Sequence, residues 1–393
     1  MDSLSDDTWR VILRRTGNDW WVASLTCRLF DRHSPYDDDK DLCASSAVGS
    51  VERCRLAIAI GCPVDIVPRA AARAGRLDVL EWHHEWHGPR VLRGHRGLDR
   101  LDSARGVCTA AARKGHLAVL QWLRERGYPW GYRTCCAAAF GGHLELIEWA
   151  IAHGCPPNNI YSEAARGGQI DVLRWAVTQS NPRDTSADFA QQRAASANQR
   201  HTLVWLRANG FRSDSSVCAV AAEGGNLELL QWLRAEGYEW DAQTCAGAAH
   251  SGHVHVLEWA HSSGCPFDVL TSVNAAAHGQ ITVLEWVWSN ALPFSPLACQ
   301  AASGHGHLET LKWLRAHGCE WASRVCICAL ERHHFECAKW AHENGCPWTP
   351  DERILCLSNQ WWPLSQQSYE WLSRIVREDV AARDGAAQHG RNL

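Results

Sequence analysis

Gly142-His143-Leu144-Glu145-Leu146-Ile147-Glu148-Trp149 decides how this chain folds, because the octet recurs. It aligns with Gly115-His116-Leu117-Ala118-Val119-Leu120-Gln121-Trp122, with Gly225-Asn226-Leu227-Glu228-Leu229-Leu230-Gln231-Trp232 and with Gly306-His307-Leu308-Glu309-Thr310-Leu311-Lys312-Trp313. Leu117, Leu120 and Leu123 keep helical spacing, with Val119 and Trp122 on the flank. The pattern predicts an amphipathic helix buried over a wide arc.

Ten tryptophans carry the register: Trp82, Trp122, Trp149, Trp175, Trp205, Trp232, Trp259, Trp286, Trp313 and Trp340. The last five steps are each 27 residues, and the first is 40, so an insertion falls at about 85–106. Fixed self-similarity at this length means a stacked array of supersecondary units.

Each octet follows an alanine-rich run. Four residues before the turn position stand Ala71, Ala111, Ala138, Ala164, Ala194, Ala221, Ala248, Ala275, Ala302 and Ala329. So small a column implies helices of adjacent units in close approach, where a larger side chain would overpack. The turn residue is Gly75, Gly115, Gly142, Gly168, Gly225, Gly252, Gly279 or Gly306, with Asn198 and His333 in two units. A left-handed cap between two helices suits these residue types. Gly154-Cys155-Pro156, Gly264-Cys265-Pro266 and Gly345-Cys346-Pro347 end the second helix. Each unit therefore reads as a short helix, a turn and a longer helix, and the fold class is all-α.

The 18 cysteines follow the period. Cys108, Cys135, Cys218, Cys245, Cys299 and Cys326 lie seven residues before the turn, on the alanine face. Cys62, Cys155, Cys265, Cys319 and Cys346 share the second loop. No Cys-x-x-Cys occurs, so these read as reduced packing residues rather than zinc ligands. The 393 residues carry 46 % hydrophobic residues and a net charge of −4, a globular balance that argues against nucleic-acid binding through bulk positive charge. No run approaches the roughly 18 apolar residues that would cross a bilayer. The first residues carry no secretory signal, so the expected location is cytoplasmic or nuclear, not secreted and not membrane-bound. Only four lysines stand among 39 basic residues; a GC-rich genome or selection against self-ubiquitination would each give that bias.

The units resemble ankyrin repeats. The family's helix start appears as Arg133-Thr134-Cys135-Cys136-Ala137-Ala138-Ala139, and its second helix as Gly142-His143-Leu144-Glu145-Leu146-Ile147. The resemblance covers residues 42–372 and implies a solenoid of about eleven helical hairpins. The ankyrin period is about 33 residues, so the inter-repeat β-hairpin finger is expected to be absent or reduced. Short, Trp-rich units of this kind resemble those of giant DNA viruses and amoebae, which for a viral protein implies a host-cell setting. Residues 373–393 read as a disordered tail.

The first 36 residues stand outside the repeat, with an acidic linker at 37–41. Ile12-Leu13 and Leu25-Thr26-Cys27-Arg28-Leu29-Phe30 resemble an F-box, although Ser5 stands where that family has proline. The resemblance implies a helical hairpin that docks on a Skp1-like adaptor of a cullin ubiquitin ligase through Leu4, Trp9, Ile12, Leu13, Trp20, Leu25 and Phe30. The same apolar residues would also serve as a plain cap on the solenoid.

No phosphate-binding loop, nucleophile elbow or metal-binding histidine pair stands outside the register. His333-His334 lies beside Cys326, Cys328 and Cys337, but His334 occupies the slot of His116, His143, His253 and His307, where a structural role is expected. No catalysis and no cofactor are expected, and solenoids act through extended surfaces. The variable column two residues before the turn holds Arg73, Arg113, Phe140, Arg166, Glu223 and His250. Ankyrin proteins contact partners near this position, and arginines and aromatics are the usual anchors. These six are the candidate target-binding residues, for an unidentified protein. The runner-up function is a scaffold whose N-terminus only caps the array.

Overall fold

The computed structural model describes residues 48–59, 64, 67–87, 98–179, 185–292, 294–358 and 364–389. Among them every regular element is a helix. The F-box-like segment, the acidic linker and residues 88–97 of the expected insertion lie outside the described residues.

The chain divides into two compact units, Met1–Phe211 and Arg212–Leu393. In the first, Val51–Ala59 precedes the hairpins Val67–Arg73/Leu77–His87, Leu98–Arg113/Leu117–Glu125, Tyr132–Gly141/Leu144–Ala152, Ile160–Gly167/Ile170–Gln179 and Ala190–Ser196/Arg200–Ala208. In the second come Ser216–Glu223/Leu227–Ala235, Ala242–His250/Val254–Ser262, Val269–Ala277/Ile281–Ser289, Pro296–Gly304/Leu308–Ala316 and Val325–Glu331/Phe335–Glu343. Pro350–Ser358 and Gln366–His389 follow. Each register tryptophan sits on the second helix of its hairpin. The two helices are closer in length than the pattern implied: Ala242–His250 and Val254–Ser262 have nine residues each. The insertion is partly a lengthened first helix, since Leu98–Arg113 runs 16 residues.

Local chemistry sets each boundary. Asp241, Asp268 and Ser295 cap the first helices of their repeats by accepting from Gln243, Leu270 and Leu297 N–H. At the turn, Gly115 takes φ 76°, the left-handed region. His116 N–H then bonds Ala111 O at 3.0 Å and Gly115 N–H bonds Ala112 O at 3.2 Å, a Schellman closure. The alanine column therefore does two things: its methyl is buried and its carbonyl closes the turn. The second helix ends alike. Cys155 N–H bonds Ala150 O at 2.9 Å, and Cys155 packs with Ala150 and Cys135 in one core cluster.

Three ties join neighbouring repeats within a unit. First helices lie side by side, and every alanine of the column is at most 2 % exposed. The approach is so close that a Cβ on Gly247 would stand 2.7 Å from Ala219 O. The residue after the turn reaches back to the previous repeat. His116 Nε2 bonds Arg73 O and His143 Nε2 bonds Arg113 O, both at 3.2 Å. Gln169 and Gln280 donate to Phe140 O and His250 O at 3.3 Å. The structural role expected of this histidine slot is thus a bond between repeats, and glutamine performs it equally. Finally, the register tryptophan meets an aromatic in the preceding loop: Trp149 with Trp130 at 5.7 Å, Trp259 with Trp240 at 5.7 Å, Trp313 with Phe294 at 5.9 Å.

The loop aromatic is held in turn by an arginine of its own second helix. Arg124, Arg234 and Arg315 lie over Trp130, Trp240 and Trp321 at 4.3, 4.2 and 4.4 Å. Each also donates to a loop carbonyl, that of Tyr128, Tyr238 or Cys319. This arginine–tryptophan clamp orders loops in which no strand is formed.

The end of the chain departs from expectation. Gln366–His389 is one helix of 24 residues and takes in most of the segment expected to be disordered. Its own Trp371, Leu372 and Ile375 are buried, and Arg353 pairs with its Asp379 at 2.5 Å. The Ala- and Arg-rich composition that reads as disorder is also that of a helix former, once one end is anchored.

Candidate functional site

The candidate column sits in the last turn of each first helix. Its backbone is the part the reach-back bond holds, because His116, His143, Gln169 and Gln280 bond the carbonyls of Arg73, Arg113, Phe140 and His250 themselves. Four of the six candidate side chains thus sit on residues whose carbonyl the next repeat has pinned. Such second-layer support is what preorganises a binding surface.

In the first unit the column assembles a cluster. The Arg113 guanidinium stands 4.5 Å from the Phe140 ring centroid and the Arg166 guanidinium 5.0 Å. Two cations from neighbouring repeats therefore flank one ring, each contact worth about 0.5–1 kcal/mol at an exposed site. Arg166 is partly neutralised by Glu163 at 3.3 Å. Arg113 is exposed and has no carboxylate partner among the described residues. Arg73 is half-buried and lies outside this sandwich.

In the second unit the column behaves differently. Glu223 faces His250 at 3.9 Å. His250 packs on His278 with centroids 3.7 Å apart, and His278 stacks towards His305 at 6.2 Å. Arg332 Nη1 lies 2.8 Å from His305 Nε2. Sequence reading passed over His278, His305 and Arg332 because they stand one residue nearer the turn than the column. Their shared offset from Gly279, Gly306 and His333 was the signal available.

The cysteine and histidine group near residue 333 separates in space. Cys326 packs with Cys346, and the His334 ring seats on Gly306. Among the described residues no group of three or more His, Cys, Asp or Glu is placed to hold a metal ion. None of the described helices is long and apolar enough to cross a membrane. The adaptor candidates Leu4, Trp9, Ile12, Leu13, Trp20, Leu25 and Phe30 lie outside the described residues.

The geometry defines a class, an all-helical repeat protein built from paired helices. No family model matches the chain, and no curated protein matches it in sequence. Among solved structures it is similar to the human ASB11 ankyrin repeat domain, at 17 % identity over 44 % of this chain and 84 % of that one, with a TM-score of 0.30. It is also similar to the maize pentatricopeptide repeat protein PPR10, at 14 % identity over 79 % of this chain and 58 % of that one, with a TM-score of 0.26. The repeat architecture stands on the helix order and on the three ties described above.

Proposed function

We propose that the protein is a non-catalytic docking platform for another protein, with Arg113, Phe140 and Arg166 as its anchor. The observation that carries this reading is the Phe140 ring with a guanidinium from each neighbouring repeat over it, Arg113 and Phe140 both having carbonyls pinned by the next repeat. A solvent-facing Arg–aromatic–Arg cluster is suited to a partner surface that offers carboxylates beside an apolar group. In this reading residues 4–34 recruit a Skp1-type adaptor, so the array presents its target to a ubiquitin ligase. The F-box-like motif supports that second half, and a capping N-terminus is its rival.

Two experiments separate the halves. Peptides selected from an acidic library on the full chain are expected to lose at least tenfold in affinity against the Arg113→Ala, Phe140→Ala double variant; unchanged affinity rejects the anchor. Co-purification with a Skp1-type adaptor is expected for the full chain and not for a chain lacking residues 1–40. Failure of both chains to bind makes the N-terminus a cap.

A further inference from the structure

The two cysteine columns meet. Cys135 Sγ lies 2.9 Å from Cys155 Sγ, twenty residues away in the same repeat. The same offset brings Cys245 beside Cys265, Cys299 beside Cys319 and Cys326 beside Cys346, so that in each pair the facing thiol is the strongest influence on the helix cysteine. The loop thiols make a further common bond: Cys155, Cys265 and Cys319 donate to Gly131, Asp241 and Ser295 carbonyls at 3.3, 3.3 and 3.4 Å. These carbonyls belong to the residue that opens the first helix of the same repeat.

Packing alone does not ask for this arrangement. In two repeats the loop position is filled by Tyr128 or Tyr238, both buried, opposite Cys108 or Cys218. Every loop cysteine among the described residues, by contrast, faces a helix cysteine.

We propose that Cys135–Cys155, Cys245–Cys265, Cys299–Cys319 and Cys326–Cys346 are redox sites that close into four intra-repeat disulfides by exchange with a small-molecule disulfide. The loop thiol attacks first. In each pair it is slightly more exposed than its partner, as Cys155 at 2 % and Cys135 at 0 %. The bond it receives from the helix thiol also holds it below the usual thiol range, while the donating helix thiol is pushed up. The loop thiolate displaces one thiolate from the small disulfide and forms a mixed disulfide. The helix thiol then gives up its proton, attacks the loop sulfur and expels the second small thiolate. The balance is one small disulfide and two cysteine thiols giving one protein disulfide and two small thiols. Access needs local opening of the loop, so exchange is slow. Cys108 and Cys218 have no facing thiol, and burial pushes each to about 12.

The test uses the full chain, folded, with oxidised glutathione as the probe. Intact mass is expected to fall by two hydrogens for each pair, with unchanged far-UV circular dichroism. Peptide mapping is expected to show the four named links and to recover Cys108 and Cys218 as alkylatable thiols. A Cys155→Ala variant is expected to leave Cys135 alkylatable and the other three links intact. Stable glutathione adducts without closure, links that involve Cys108 or Cys218, or closure only with loss of the helical signal would each overturn the proposal.

Discussion

Replacing Gly115 with alanine tests the reach-back bond, because Gly127 in the same repeat supplies a matched control. Both glycines are left-handed, at φ 76° and 77°. An L-residue there costs roughly 1–2 kcal/mol, and alanine recovers about 0.4–1 kcal/mol by restricting the unfolded chain. Gly127→Ala, with nothing within 4 Å of the added carbon, should therefore cost about 1 kcal/mol. At Gly115 the new carbon would stand 2.5 Å from His143 Nδ1 and 2.6 Å from its Cε1, so the ring must leave. Its bond to Arg113 O goes with it, a further loss of about 0.5–1.5 kcal/mol. The expected cost of Gly115→Ala is about 2 kcal/mol, falling to about 1 kcal/mol in a His143→Ala background. Urea unfolding followed by far-UV circular dichroism measures all four corners of the cycle. Because both sites share a repeat, the cooperativity of the array cancels in the comparison. Equal costs for Gly115→Ala with and without His143 would refute the lock.

Three further predictions follow from single positions. Ala291 holds φ 52° without a glycine, so Ala291→Gly should stabilise by up to about 1 kcal/mol, read as a higher urea midpoint. Ala248 is fully buried between neighbouring first helices, so Ala248→Leu should destabilise by about 1–3 kcal/mol, and a smaller loss would mean the helices can spread. Burial, with His305 and His278 nearby, holds the His307 imidazole below its usual range. The folded protein then binds fewer protons than the unfolded chain, so stability is full above about pH 6.5 and falls as pH drops through the folded value. His307→Gln keeps the residue type that works at Gln169 and Gln280, and should flatten this acid slope with little loss at pH 8.

The architecture was legible because its signals are local. The leucine stripe, the alanine column and the turn glycines each state in sequence what they do in space. Through-space pairings were not. The helix and loop cysteines form two columns at one period, and nothing in a period says that residues twenty apart face each other. The histidine slot was read as structural, but nothing in its position says that the ring crosses to the preceding repeat. The column containing Arg113, Phe140 and Arg166 was found by its variability, but the sandwich depends on side-chain directions that only the packed helices fix. The tail failed for a different reason: composition cannot register that Arg353 waits for Asp379.

The reach-back bond gives the array a grammar. A typical repeat offers a bare glycine to the repeat that follows and extends a histidine or glutamine to the one before, so any two such repeats can be neighbours whatever else they carry. Lengthening by duplication then needs no compensating change at the junction. A repeat whose turn residue bears a side chain, as at Asn198 and His333, offers no such seat and reads as a stop. The copying of units should therefore be easiest within the runs bounded by these two residues, where the partner-facing column is free to diversify while the joints stay interchangeable.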